Sequence, residues 1–319
     1  MLAAAARIKP FKARAAARCL SLHGPTHEVL NQQTPLAGGY NLFSGDKALA
    51  ESVTRWGGDW HKEGLVAHGA KMGCAEYMKH GELANRNPPV LKTHDANGRR
   101  VDTVEFHPSY HALMKAGIES GTTHLAWGKP EGFTGAHVAR AALSFMQGQV
   151  DAGHGCPLTM TFAAVPAFRA ADGGEGWKDD WVKGCVSAEY DPDESKDVKS
   201  KRGVTVGMSM TEKQGGSDVQ TNTTTATSLG GDTYSLTGHK WFTSAPMCDG
   251  FITLARVKEG AATKPERLSC FLVPRRLDGG ARNEGLQFQR LKDKLGDRSN
   301  ASSEVSEVAA CVCLRLSSS

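Results

Sequence analysis

Met208-Ser209-Met210-Thr211-Glu212-Lys213-Gln214-Gly215-Gly216-Ser217-Asp218 leaves an alternating run and turns through two glycines into hydroxyl and amide groups. Just upstream, Val204, Val206, Met208 and Met210 alternate with Thr205, Gly207 and Ser209, the two-residue repeat of a strand with one buried face. A strand that runs into Gly-Gly-Ser can cup an anion or the polar edge of a ring, because glycine lets backbone N–H groups approach a ligand closely. The spacing is neither G-x-G-x-x-G nor a Walker loop, so a doubly wound dinucleotide-binding fold is not indicated. The stretch marks the start of a β region.

Downstream the β signals continue. Threonine-rich 221–228, then Leu229-Gly230-Gly231-Asp232, then 233–238 predict a hairpin across a Gly-Gly turn. Apolar runs at 250–257, 268–273 and 285–291 add strands separated by Gly, Pro and charged turns. Five or six strands in about a hundred residues predict a small antiparallel β-barrel or a sandwich over 203–305. Within it, Gly238-His239-Lys240-Trp241-Phe242-Thr243-Ser244 sets two aromatics before two hydroxyls. That order suits a flat heteroaromatic cofactor, the ring packing on the aromatics while hydroxyls bond its polar edge. It equally suits a strand with its aromatics in the core, and spacing alone does not choose. After Val305 the alternation breaks without a capped helix beginning, so 306–319 is expected to be an aberrant tail.

Upstream the periodicity is helical, and 26–172 is expected to form a helical domain. Asp46 to Trp56 places Leu49, Val53 and Trp56 on one face and stops at Gly57-Gly58. Gly135 to Asp151 carries a stripe of Val138, Ala142, Phe145, Met146 and Val150. Asn85 to Pro108, with Asn87-Pro88-Pro89 and Asn97-Gly98, reads as loop. Residues 173–202, with Gly173-Gly174 and many charges, read as an exposed linker.

The 319 residues are 39% hydrophobic and 23% charged, which excludes disordered, collagenous and coiled-coil classes. The net charge of +4 has a local origin, since Arg7, Lys9, Lys12, Arg14 and Arg18 all precede the first acid, Glu28. The rest of the chain is close to neutral, which gives no case for a nucleic-acid-binding face. The acid-free leader rich in Ala and Arg, residues 1–25, has the composition of a transit peptide and predicts a mitochondrial address. No apolar run approaches the roughly 20 residues that span a bilayer. The eight cysteines lack C-x-x-C spacing, and His107 with His111 lacks the intervening Glu of a zinc helix, so no metal site is expected.

Met210-Thr-Glu-Lys-Gln-Gly-Gly-Ser-Asp-Val219 and Gly238-His-Lys-Trp-Phe-Thr-Ser244 together resemble the two flavin-contacting segments of the acyl-CoA dehydrogenase family, in particular its AidB-like branch. Further matches are Cys156-Pro-Leu-Thr-Met-Thr-Phe-Ala163, Leu291-Lys-Asp-Lys-Leu-Gly-Asp-Arg-Ser-Asn-Ala301, Asn87-Pro-Pro89 and Phe106-His-Pro108, extending the likeness over about 26–305. The resemblance implies an α+β multidomain fold: an N-terminal helical domain, a middle β-domain, and a C-terminal four-helix domain that the sequence as written does not contain. It implies FAD, contacted by Met208, Met210, Thr211, Gly216, Ser217, Phe242, Thr243 and Ser244. Thr211 would bond the isoalloxazine edge, with Ser217 near the pyrophosphate. Most members carry tryptophan where this chain has Phe242, with Trp241 one place earlier.

The family reaction removes the α-proton of an acyl-CoA thioester while hydride passes from the β-carbon to the flavin. The family's glutamate base belongs to the C-terminal domain, so no catalytic residue is assigned. Glu212 is expected to brace the turn instead of acting as base. The resemblance further implies an acyl-CoA substrate and a homo-oligomer. Two other readings stand beside it: an alkylation-response flavoprotein associated with DNA, whose DNA surface lies in the absent domain, and a non-catalytic remnant.

Overall fold

A computed structural model describes residues 38–171, 176–258 and 268–317, and the leader lies outside them. The helical region comprises α1 (Lys47–Arg55), α2 (Lys62–Met72), α3 (Ala75–Arg86), α4 (Pro108–Ser120), α5 (Ala136–Val150), α6 (Gly155–Arg169) and α7 (Trp177–Cys185). Their ends follow local chemistry. Asp46 caps α1 by accepting from the Leu49 amide at 2.9 Å. Pro108 opens α4, where its missing N–H is no loss, and left-handed Gly121 closes it. Leu65, Leu113, Leu143 and Met146 are fully buried, each contributing about 1.5–3 kcal/mol of apolar burial.

Three expectations change here. Asn85 to Pro108 is not plain loop: β1 (Val90–His94) and β2 (Arg100–Glu105) pair antiparallel around Asn97-Gly98. Asp95 accepts from the Asn97 and Arg99 amides, and Gly98 is left-handed, so the turn is locally closed. Trp56 and Phe145 point outward, 62% and 53% exposed, because Val53, Leu143 and Met146 already fill the core side of α1 and α5. The stretch expected as linker contains α7, which buries Trp181 and Cys185 against α6 and the sheet. His107 and His111 have other partners: the first accepts from the Ser109 amide, the second bonds the Tyr190 hydroxyl at 2.8 Å.

The sheet region contains β3 (Val206–Thr211), β4 (Thr225–Gly230), β5 (Thr233–Ser244), β6 (Gly250–Lys258), β7 (Leu268–Pro274), β8 (Leu286–Leu291) and β9 (Ser302–Ser317). They form one seven-stranded sheet in the order β3-β5-β4-β6-β7-β9-β8, folded back on itself by the additional pairings β3–β6 and β5–β9. The β4–β5 hairpin turns at Gly230 and Gly231, both left-handed. The sheet is mixed, not purely antiparallel as expected: β6 runs parallel to β3 and β4, which long connections between them permit. The expected tail at 306 instead continues β9 to Ser317. Its partners come from β5, β7 and β8 in turn, so no single two-residue repeat marks it.

β3 is buried on both sides, which explains why Gly207 and Ser209 are as hidden as Val206. One side faces the sheet interior. On the other, α6 and α7 bring Val165, Phe168 and Trp181 against Val206 and Ile252, and the Thr161 hydroxyl accepts from the Val206 amide. The β1–β2 hairpin is tied to the same body through buried Asp102, which Arg100 and Arg282 both pair.

Candidate functional site

The two segments singled out in the sequence lie on neighbouring antiparallel strands. Met208 is opposite Ser244 and Thr211 is opposite Phe242, three steps along β3 against two along β5. A second irregularity falls in the same place, because β5 advances from Lys240 to Thr243 while β9 moves only from Val305 to Ser303. Such bulges double the side chains that can face one way.

Inward contacts fix the arrangement. Ser209 and Thr243 share a buried hydroxyl hydrogen bond of 2.5 Å, and Glu212 pairs with Lys240 at 3.0 Å. Members of each inward set are three residues apart on their strand. Between them stand Met210 and Thr211 on β3, both half-buried, and Trp241 and Phe242 on β5. Phe242 is 39% exposed. The indole of Trp241 carries Lys292 at 3.0 Å from its centroid, with Lys213 at 5.0 Å and Arg290 at 5.5 Å. Met210 packs toward the α6 and α7 cluster, so this face borders those helices.

The glycine turn folds back over Thr211. A Cβ at Gly216 would stand 3.0 Å from the Thr211 methyl carbon and 3.3 Å from its hydroxyl. Neither Gly215 nor Gly216 is left-handed, so what the turn requires of Gly216 is space and not an unusual backbone. Ser217 is exposed at the mouth of the turn. Ser244 is half-buried beside the thiol of Cys156 at the start of α6. Burial raises the pKa of that thiol. The Thr243 side chain faces inward to Ser209, so only its main chain can serve a ligand on the outer face.

Glu212 is 2% exposed and has no free acceptor capacity. It accepts from the amide and hydroxyl of Thr223, the amide and hydroxyl of Thr224, the Gln214 amide group and the Lys240 ammonium. Burial opposes ionisation, but these donors outweigh it and hold the carboxyl well below the usual range. A carboxylate so occupied cannot serve as a base. Lys240 is fully buried and also donates to the Leu254 carbonyl. Sequence reasoning missed Lys240, Cys156 and the cations on Trp241. All but Arg290 sit inside the quoted motifs, so the signal was present without a role attached.

The arrangement therefore offers hydroxyls, a phenyl ring and an open turn on one outer corner. Residues 31–192 match the family model of the adaptive response protein AidB N-terminal domain, and 207–307 that of the acyl-CoA dehydrogenase middle domain. The chain is 46% identical over 284 residues to the putative acyl-CoA dehydrogenase AidB of Escherichia coli, covering 89% of this chain and 50% of that protein. It is 32% identical over 273 residues to acyl-CoA dehydrogenase family member 11 of Caenorhabditis elegans, covering 83% and 43%. The crystal structure of Caenorhabditis elegans ACDH-11 in complex with C11-CoA superposes with a TM-score of 0.75 at 27% identity, covering 91% and 49%. The chain thus spans about half the length of the relatives it matches.

Proposed function

Because the chain belongs to the acyl-CoA dehydrogenase family, in its AidB-like branch, we propose that it binds FAD on the outer face of β3 and β5 in the service of acyl-CoA α,β-dehydrogenation. One observation carries this reading: Thr211 and Phe242 are register partners on a doubly bulged corner, with Gly216 folded against Thr211. The residues fit an isoalloxazine. Thr211 and Ser244 supply hydroxyls on adjacent strands, Phe242 supplies an exposed ring for packing, and the space kept at Gly216 lets main chain approach.

The chemistry that bound FAD supplies is hydride acceptance. The chain's own residues bind and orient. Thr211 and Ser244 would fix the ring edge, and Phe242 would cover a face against water. Proton abstraction from the substrate is not assigned to any residue of this chain, and Glu212 is already fully engaged.

The test is an FAD titration of the purified full chain followed by anaerobic addition of straight-chain acyl-CoA thioesters. Stoichiometric flavin with a perturbed visible spectrum supports the reading, and bleaching by a thioester supports the reaction. A chain that stays colourless at saturating FAD overturns both. Thr211→Val should weaken FAD binding by about 1–3 kcal/mol, since a buried flavin acceptor loses its donor. Unchanged affinity would place the ring elsewhere.

A further inference from the structure

We infer that Glu212 and Lys240 form a positioning pair that sets the spacing of the two flavin-contact segments from behind, an inference that rests on the FAD reading above. The sequence offered Glu212 only as a brace for its turn. In the structure it joins far more of the sheet.

The side chains of the pair are 3% and 0% exposed and meet at 3.0 Å on the inner face, beneath the corner where Thr211 and Phe242 stand opposite each other. Glu212 directly follows Thr211, and Lys240 precedes Phe242 by two residues across the bulge. The four Thr223 and Thr224 donors bring in the segment that leads into β4, and Lys240 reaches the Leu254 carbonyl on β6. One ion pair therefore joins β3, β4, β5 and β6 at a single point. Gly238 confirms how closely that point is packed, since a Cβ there would lie 2.3 Å from the Thr224 hydroxyl.

The geometry also links the pair to the turn. Gln214 bonds both Glu212 and the Thr221 carbonyl, and Glu212 bridges Gly215. Removing the carboxylate frees the turn, with it Gly216 against Thr211, and leaves buried Lys240 with the Leu254 carbonyl and the nearby Glu307 but without its direct partner. The other inward contact, Ser209 with Thr243, is a neutral hydroxyl pair that cannot compensate for it.

Two effects must be separated: loss of fold and loss of cradle spacing. The experiment compares full-length wild type, Glu212→Gln, Glu212→Asp and the control Arg282→Gln. The control breaks a different buried pair, with Asp102, 2.8 Å long and outside the cradle. For each, thermal unfolding is recorded, and FAD affinity and the bound flavin's visible spectrum are measured at a temperature where the protein is folded by circular dichroism. A positioning role predicts at least about a tenfold rise in Kd for Glu212→Gln, with an altered flavin spectrum. Glu212→Asp, which keeps the charge but shortens the reach, should recover the unfolding midpoint more than the affinity. Arg282→Gln should lower the midpoint with Kd unchanged within about twofold.

If Glu212→Gln does not fold, Thr223→Ala removes one hydroxyl donor and should raise Kd by about threefold. Wild-type affinity and spectrum in folded Glu212→Gln, or in Thr223→Ala where it is the variant that folds, overturn the positioning role while leaving the FAD reading intact. Failure of wild type itself to bind FAD overturns the FAD reading and this inference with it.

Discussion

Glu212 near the start of the sheet and Glu307 near its end are both 2% exposed, yet their surroundings are opposite. Glu212 receives six donors and is held ionised. Glu307 keeps one oxygen without a hydrogen-bond partner, and burial, the larger influence, raises its pKa to about 7 against the pull of nearby Lys240. Equal burial therefore accompanies opposite pKa shifts. What decides is the number of donors that reach the carboxylate, and the turn around Glu212 is built to deliver them.

The comparison breaks most sharply at Lys240. Lys240→Met should cost about 3–5 kcal/mol in chemical denaturation, because a buried carboxylate loses its counterion. A cost under about 1 kcal/mol would mean that the threonine donors suffice alone. A smaller effect, of opposite sign, is expected at Glu307. Its folded pKa lies above the unfolded value, so the folded state holds the extra proton and stability falls as pH rises from about 4.5 through 7. Glu307→Gln should be near neutral at pH 4.5 and stabilising by roughly 1–3 kcal/mol at pH 8. A pH-independent difference would defeat the assignment.

The smallest effect is expected at an intermediate case, Asp151 in the helical region. It accepts from the His154 ring and amide and from the Ser299 hydroxyl, and these donors lower its pKa against the effect of burial. Ser299→Ala should cost about 1 kcal/mol in the same denaturation series. A cost above that of Lys240→Met would show that hydroxyl donors, and not the counterion, dominate both sites.

What was legible in the sequence was local. Two-residue alternation announced β3, Gly-Gly announced the β4–β5 turn, and the hydroxyl and aromatic motifs fall on the neighbouring strands β3 and β5. What was not legible depended on distance along the chain or on crowding. Thr223, Thr224 and Lys240 lie 11, 12 and 28 residues from Glu212, and no spacing rule connects them. Phe145 and Trp56 satisfy a helical stripe, but the core has room for fewer large side chains than the stripe offers. The β1–β2 hairpin is short and sits among turn-forming residues that mask its alternation.

An ordinary ladder shows one side of itself at every second residue. The extra step in β5 lets Trp241 and Phe242 share a side while Lys240 and Thr243 stay on the other. Excising either aromatic should restore strict alternation and leave Ser244 facing as before, costing a ligand its platform but sparing the sheet. Excising any other residue of that strand would invert every position after it.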